Sequence, residues 1–67
     1  MDLMAVYSRM TAAHTYVIVR DIDEGSYMLM IDDEPYSEGG QTFLGTFYAI
    51  NQLMETLIAA EDLATLP

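Results

Sequence analysis

The sequence has no lysine, no cysteine and no tryptophan, and its permanently charged basic side chains are Arg9 and Arg20. Without cysteine, neither a disulfide nor a thiolate ligand for a metal ion can form. Eleven acidic residues oppose the two arginines, so the formal net charge is −9. Such a surface repels phosphate backbones and anionic lipid headgroups, and it attracts basic protein surfaces. The composition therefore argues against direct binding of nucleic acid or of a membrane.

Long hydrophobic runs are also missing. No stretch approaches the roughly 18 to 20 uninterrupted apolar residues of a membrane span. The sequence starts with Asp2 close behind Met1 and has no basic region before an apolar run, so we expect no signal peptide. We expect a soluble, cytoplasmic protein, in the host cytoplasm if the chain is viral. Its 67 residues, 52% of them apolar, predict one small acidic globular domain over residues 1–67.

The clearest strand signal is the aromatic and β-branched run at residues 15–22, whose side chains alternate between two faces. A turn sequence follows at residues 23–26, in which Gly25 can supply the positive φ of a tight turn. Residues 27–32 alternate again and read as the return strand. The pattern predicts an antiparallel β-hairpin over residues 15–33.

The second half of the chain changes from strand spacing to helix spacing. Residues 34–40 combine a proline with a glycine pair and predict a loop, after which residues 41–44 could form a short third strand. Thr46 is placed to cap an amphipathic helix over residues 47–61, which Asp62 and the run to Pro67 would close. The apolar face of this helix consists of Phe47, Ile50, Met54, Leu57 and Ile58.

The N-terminal segment, residues 2–12, is ambiguous between helix and strand. Its apolar residues fit one face of a helix capped by Asp2, and the spacing favours this interpretation; they are Leu3, Val6, Tyr7 and Met10. Residues 4–10 could instead pair as a strand. In both cases the fold class is α+β, a small antiparallel sheet with the C-terminal helix packed on one face.

Residue types with catalytic or metal-binding potential form no recognisable motif. The single His14 has no serine or cysteine pattern near it that would make it a base. The glycines have the wrong spacing for a phosphate loop and precede no lysine. The acids between Asp32 and Glu38 lack the alternation, central glycine and distal glutamate of a calcium loop. We therefore predict no enzyme, no cofactor and no metal site.

Seven carboxylates fall close together without an intervening lysine or arginine. This acidic block consists of Asp21, Asp23, Glu24, Asp32, Asp33, Glu34 and Glu38. On the predicted hairpin it would occupy both ends and one connecting loop, flanked by Tyr27 and Tyr36. Carboxylates spaced over such a span can stand in for the phosphates of a nucleic acid, and tyrosines add flat contact area. We predict that these nine residues bind a partner. The simplest alternative is that the acids only keep the protein soluble.

The first functional hypothesis is a small acidic inhibitor that occupies the basic nucleic-acid-binding surface of a partner protein or complex. In type, though not by a shared motif, the chain resembles phage-borne inhibitors of CRISPR effectors and restriction enzymes, which are often tiny, acidic, lysine-poor and without catalytic residues. Charge attraction would speed association and make it sensitive to salt. A homodimer is compatible with this hypothesis, since it doubles the acidic display.

The second hypothesis is a homo-oligomeric structural or antitoxin-like module. In the order of strands and helix over residues 15–58, the chain resembles the sheet-plus-helix half of HicB-type antitoxins, although it lacks a DNA-binding segment. Here Tyr48 and Leu53 would form an oligomer face together with Met28 and Met30, and the acids would serve solubility only. The two methionines are equally typical of an ordinary core.

Overall fold

The computed structural model describes residues 2–64 and has, within them, one helix packed on an antiparallel sheet. In chain order the elements are β1 (Leu3–Met10), β2 (Thr15–Asp21), β3 (Tyr27–Ile31), β4 (Glu34–Pro35), β5 (Ser37–Glu38), β6 (Gln41–Thr42), β7 (Leu44–Gly45) and α1 (Phe47–Ala64). The main sheet runs β1-β2-β3-β4, with β7 also on β3, while β5 and β6 form a separate two-stranded ribbon. The predicted α+β class is confirmed.

The predicted hairpin is formed by β2 and β3, with Ile18 directly opposite Leu29 at its centre. Its turn is closed by two backbone hydrogen bonds, from Asp21 N–H to the Ser26 carbonyl at 2.8 Å and from Gly25 N–H to the Asp21 carbonyl at 2.7 Å. Gly25 has a φ of 74°, a conformation that L side chains rarely adopt. The glycine therefore allows the tight reversal that the sequence predicts.

The N-terminal segment is a strand, and the helix that its spacing favoured is wrong. β1 pairs antiparallel with β2, and the register shifts where Ala5 lies opposite Val19 but Tyr7 lies opposite Ile18. Val6 is the extra residue of a β-bulge, which displaces the later side chains by one position. The bulge breaks the period of two, so the apolar residues before and after it take on a spacing that resembles that of a helix.

The outer side of β3 is shared by two short strands. β4 pairs with its C-terminal end and β7 pairs with its N-terminal end. Between them the chain leaves the sheet as the β5–β6 ribbon, which reverses at Gly39 and Gly40 with φ values of 60° and 83°. The third strand predicted at residues 41–44 is thus split into two pieces at Phe43, whose ring packs against the core.

Thr46 caps α1 as predicted. Its Oγ1 accepts the Ala49 N–H at 3.1 Å, and its carbonyl accepts the Ile50 N–H at 3.0 Å. The helix continues past the predicted end at residue 61 to Ala64, and the predicted closing run to Pro67 extends beyond the described residues. No helix within residues 2–64 is long and apolar enough to cross a membrane.

The core lies between α1 and one face of the sheet. Its buried side chains are Tyr16, Ile18, Leu29, Ile50, Met54 and Ile58. The helical members recur every fourth residue and cover the centre of β2 and β3, as the predicted apolar stripe requires. Burying a side chain of this size contributes about 1.5 to 3 kcal/mol, so this cluster holds the helix on the sheet.

The other face of the sheet carries no helix in the described part of the chain. Alternation along the paired strands places Val17, Val19, Met28, Met30 and Leu44 there. Val19 and Met28 are buried by their neighbours, yet they do not belong to the core cluster under the helix. Met28 and Met30 thus lie on the face of the sheet away from α1.

Candidate acidic interface

The β2–β3 turn holds the first members of the acidic block. Asp21 is only 8% exposed, and its Oδ1 accepts the N–H groups of Asp23 at 3.0 Å and of Glu24 at 3.3 Å. A carboxylate that accepts hydrogen bonds from the next residues fixes the turn from inside. Asp23 and Glu24 are exposed. Asp21 therefore shapes this turn, and the two following acids are presented to solvent.

The β3–β4 turn holds the next three acids at the opposite end of the hairpin. Ile31 pairs with Glu34, so Asp32 and Asp33 form a two-residue loop. Their φ values are 52° and 70°, which is the left-handed conformation at both positions that a type I′ turn requires. Asparagine and glycine usually occupy such a turn, because other L residues are strained there. Two adjacent exposed carboxylates are thus held in an uncommon backbone geometry.

Asp32 is also anchored to the start of β2. Its backbone N–H donates to the Thr15 carbonyl at 2.9 Å, and its Oδ1 accepts the Thr15 N–H at 2.9 Å. Its other oxygen, Oδ2, lies 2.5 Å from Nδ1 of His14. The hydrogen bonds from Thr15 and His14 lower the pKa of Asp32, and the bond to Asp32 raises the pKa of His14. Sequence reasoning missed this pair, because the two residues are joined only through the register of the sheet.

The last member of the acidic block lies on the ribbon. Tyr36 donates its hydroxyl to Glu38 Oε1 at 3.0 Å, and this bond raises the pKa of Tyr36. Tyr27 packs edge-to-face against Phe47 with ring centroids 5.7 Å apart, and the Arg20 guanidinium lies 6.0 Å from its ring centre. Both flanking tyrosines are half-buried. Both rings pack against the core, so they also serve the fold.

The block as a whole spans the hairpin. Asp23 and Glu24 lie at one end of β3, and the acids of the β3–β4 turn lie at the other. Five strand residues separate these ends, which corresponds to about 17 Å at roughly 3.3 Å per residue. Every member except Asp21 is exposed. The structure thus places two groups of carboxylates on a rigid spacer, with Glu38 on the ribbon beside them.

Two acids of α1 outside the block have structural partners. Glu55 Oε1 lies 2.6 Å from Arg9 Nη1, so the helix and β1 share an exposed ion pair. Glu61 accepts a hydrogen bond from Thr11 at 2.7 Å and a second from the Tyr16 hydroxyl. Glu55 and Glu61 are therefore engaged in contacts within the protein. No local signal in the sequence could have identified them, since each joins residues from opposite ends of the chain.

The predicted oligomer face is not one surface. Tyr48 is 73% exposed, whereas Leu53 is half-buried and packs against the core. Five residues of helix rotate the second side chain by about 140° from the first at roughly 100° per residue. Met28 and Met30 lie on the far side of the sheet from α1. The structure therefore does not bring the four residues together on one surface.

Residues 2–64 enclose no pocket, and no three histidine, aspartate or glutamate side chains among them lie together as metal ligands would. Comparison with models of protein families, with characterised proteins and with solved structures finds no significant match for this chain. The likeness to HicB-type antitoxins accordingly rests on the order of strands and helix alone. The observation that bears on function is the distribution of acidic residues on the surface.

Proposed function

We propose that this protein is a small acidic inhibitor that binds the basic nucleic-acid-binding surface of a partner protein or complex. Its carboxylates would take positions that phosphates occupy when nucleic acid is bound. The observation that carries the proposal is the acidic block: two groups of exposed carboxylates at the two ends of one hairpin, with no lysine or arginine between them in the sequence. We place its action in the cytoplasm, the host's if the chain is viral.

The spacing of the carboxylates suits a basic groove. A protein that grips nucleic acid contacts phosphates on both sides of a groove, and the major groove of B-form DNA is about 12 Å wide. The two ends of β3 are separated by about 17 Å at roughly 3.3 Å per residue, a distance of the same order. Asp23 and Glu24 at one end, with Asp33 and Glu34 at the other, could therefore reach basic side chains on both sides of such a groove.

Preorganisation favours the same proposal. Asp21 fixes one acidic turn through two hydrogen bonds, and Asp32 fixes the other through Thr15. The exposed acids beside them are thus held in place before a partner arrives, which reduces the entropy lost on binding. Their mutual repulsion is present in the free protein, and a basic partner would relieve it.

Matched charge variants test the proposal. The two block doubles are Asp23→Asn with Glu24→Gln, and Asp33→Asn with Glu34→Gln. The control double, Glu55→Gln with Asp62→Asn, removes the same amount of charge from the helix; because Glu55 pairs with Arg9, the unfolding midpoint of this double is compared with that of the wild type. Asp21 and Asp32 stay unchanged because they hold the turns. Tagged proteins are used to capture partners from a host lysate at low and at high salt, and nucleic acid is added as a competitor.

We expect a nucleic-acid-binding protein that is released by high salt and by added nucleic acid. Each block double should weaken its capture, and the helix double should not. Capture that all three doubles reduce equally would show that only net charge matters. Capture that survives both block doubles and resists nucleic acid would contradict the proposal.

The homo-oligomeric alternative makes the opposite prediction for the same proteins. If the acids serve only solubility, both block doubles leave all interactions unchanged. The helix surface does not favour this alternative, since Leu53 packs inward and leaves Tyr48 as an isolated exposed ring. Self-association, if it occurs, has to use another surface.

A further inference from the structure

The outer edge of β1 is the largest unpaired backbone surface of the described chain. β1 is eight residues long and pairs with β2 on one side only. Its side chains are exposed apart from Arg9, and Met10 is 79% exposed. Edge strands are usually protected by charged side chains, proline, bulges or short length, because free N–H and C=O groups invite another strand. β1 is long and has no lysine or proline; its protection consists of Arg9, which is paired with Glu55, and the bulge at Val6.

The register shows which backbone groups of β1 point outward. Ile22 N–H donates to the Asp2 carbonyl, and Thr11 N–H donates to the His14 carbonyl, each at 2.9 Å. In an antiparallel pair, alternate residues bond to the neighbouring strand and the residues between them point away from it. With this alternation and the bulge at Val6, four residues of β1 direct their N–H and C=O groups away from β2. They are Leu3, Ala5, Ser8 and Met10.

The opposite edge of the sheet is better protected. Beyond β3 lie only two-residue strands, β4 and β7, and β4 contains Pro35. Short strands and proline both discourage further pairing. A strand that adds to this sheet therefore has one suitable place, the outer edge of β1.

The charge distribution indicates which kind of partner can pair with the outer edge of β1. Residues 3–20 contain no acid, although the chain as a whole carries −9, and they contain both arginines. A second copy of this chain is repelled by every acidic surface of the first, and the least repulsion occurs where acids are absent. A basic partner would be drawn to the acidic block and away from this strip. Glu55 of α1 pairs with Arg9, so this edge carries little net charge and repels a second copy less than the acidic turns do. The edge of β1 thus fits a second copy better than it fits a basic protein.

We propose that two copies of this chain form a dimer by pairing their β1 strands antiparallel, which joins their sheets into one. The outward residues are complementary under a twofold axis: Leu3 would face Met10 of the second copy, and Ala5 would face Ser8 of the second copy. This register pairs outward backbone groups on both sides of the bulge and makes the contact isologous. The dimer does not depend on the proposed inhibitor function, and it would present two acidic blocks.

The effect of salt distinguishes the proposed dimer from the proposed inhibitor complex. Screening weakens the attraction between the acidic block and a basic partner, but it also weakens the repulsion between two copies of a chain of charge −9. Added salt should therefore release the basic partner and tighten the dimer. Failure of either proposal leaves the other one standing.

Ser8 offers a matched pair of variants. Ser8→Pro removes an outward N–H that the β1–β2 pairing does not use, and proline is tolerated at such edge positions. Ser8→Ala removes the hydroxyl and keeps the N–H. Sedimentation equilibrium should give a dimer for the wild type and for Ser8→Ala, and self-association at least about tenfold weaker for Ser8→Pro. A wild type that stays monomeric at millimolar concentration in high salt overturns the proposal, as does a Ser8→Pro variant that dimerises like Ser8→Ala.

Cysteine pairing gives a second measurement, which holds even if the proline variant fails to fold. Because the chain has no cysteine, each single substitution introduces one thiol. Under mild oxidation, a mixture of Ala5→Cys and Ser8→Cys proteins of different mass should form a mixed disulfide, since the paired positions lie within the reach of a disulfide bond. The control mixes Ala5→Cys with Gln52→Cys, an exposed position on α1. Mixed disulfide no more abundant than in the control would exclude this register.

Discussion

Tyr16 donates its hydroxyl to Glu61 across 45 positions of the chain and so joins β2 to the end of α1. The tyrosine is 2% exposed, while the glutamate also accepts a hydrogen bond from Thr11 at 2.7 Å. Burial and the bond to Glu61 raise the pKa of Tyr16 to about 12. The bonds from Tyr16 and Thr11 lower the pKa of Glu61. The Glu61 carboxylate therefore joins the C-terminal part of α1 to β2 and to the β1–β2 turn.

Tyr16→Phe should destabilise the protein because it removes this bond and keeps the ring in the core. Net hydrogen bonds to charged groups contribute about 1.5 to 3 kcal/mol, and partial solvent access to the glutamate places the loss at the low end of this range. Urea unfolding followed by circular dichroism measures the change. Tyr48→Phe, at an exposed ring, is the control and should leave the unfolding midpoint unchanged. Equal midpoints for both variants would show that the hydroxyl of Tyr16 contributes nothing.

His14 should titrate above its ordinary pKa of 6.5, because its hydrogen bond to Asp32 favours the charged ring and Glu61 adds attraction. The chain has one histidine, so a single imidazole signal in the NMR spectrum reports this titration. In Asp32→Asn, the pKa of His14 should fall towards 6.5. A His14 pKa that does not respond to Asp32→Asn would mean that the pair is not formed in solution.

The same pair predicts how stability depends on pH. The pKa of His14 is raised in the folded state, so its contribution is complete below 6.5 and is lost as the pH rises through the folded value. The pKa of Asp32 is lowered, so its contribution is present above its ordinary value of 3.8 and is lost as the pH falls through the folded value. The pair should therefore stabilise the fold most between these two ordinary values. His14→Gln should cost stability in that window and have little effect in alkaline solution.

The spacing of apolar residues was sufficient to predict a strand or a helix where that spacing is regular. Alternation predicted β2 and β3, spacing of three and four predicted the buried face of α1, and Thr46 was identified as the cap that the structure confirms. For residues 2–12 the sequence left helix and strand open and favoured the helix, because the bulge at Val6 disturbs the alternation of β1. Only the pairing with β2, a tertiary contact, selects the strand.

The positions of the acids along the hairpin were predictable from the sequence, and the contacts of their side chains were not. The sequence places acids at both ends of the hairpin, but it does not reveal that Asp21 turns inward or that Asp32 is tied to His14 and Thr15. Both facts depend on which backbone donors the turns bring within reach of a carboxylate. Acids that hold a turn cannot be told from other acids in the sequence, because only the folded chain shows their hydrogen bonds.

Asp33→Gly should stabilise the protein. Asp33 has a φ of 70°, and the left-handed conformation costs an L residue up to about 1 to 2 kcal/mol, less for aspartate than for most. Glycine avoids this strain but gains about 0.4 to 1 kcal/mol of unfolded-state entropy, so a net increase of roughly 0.5 kcal/mol in the free energy of unfolding is expected. Asp33→Ala removes the same charge but stays strained in the left-handed conformation. If Ala and Gly stabilise equally, charge and not backbone strain is the cause.

Added salt should raise the melting temperature of the wild type by several degrees. The chain carries −9, and its two exposed acidic turns lie at opposite ends of β3. The screening length falls from about 30 Å at 0.01 M to about 8 Å at 0.15 M ionic strength, which is shorter than the separation of the turns. The double variant Asp33→Asn with Glu34→Gln should begin with a higher melting temperature and gain less from salt. Sodium chloride and sodium sulfate compared at equal ionic strength provide the control, because screening predicts equal shifts and anion-specific effects do not. A wild type whose stability is indifferent to salt would mean that the acids do not repel one another measurably, and that a basic partner gains nothing by relieving their repulsion.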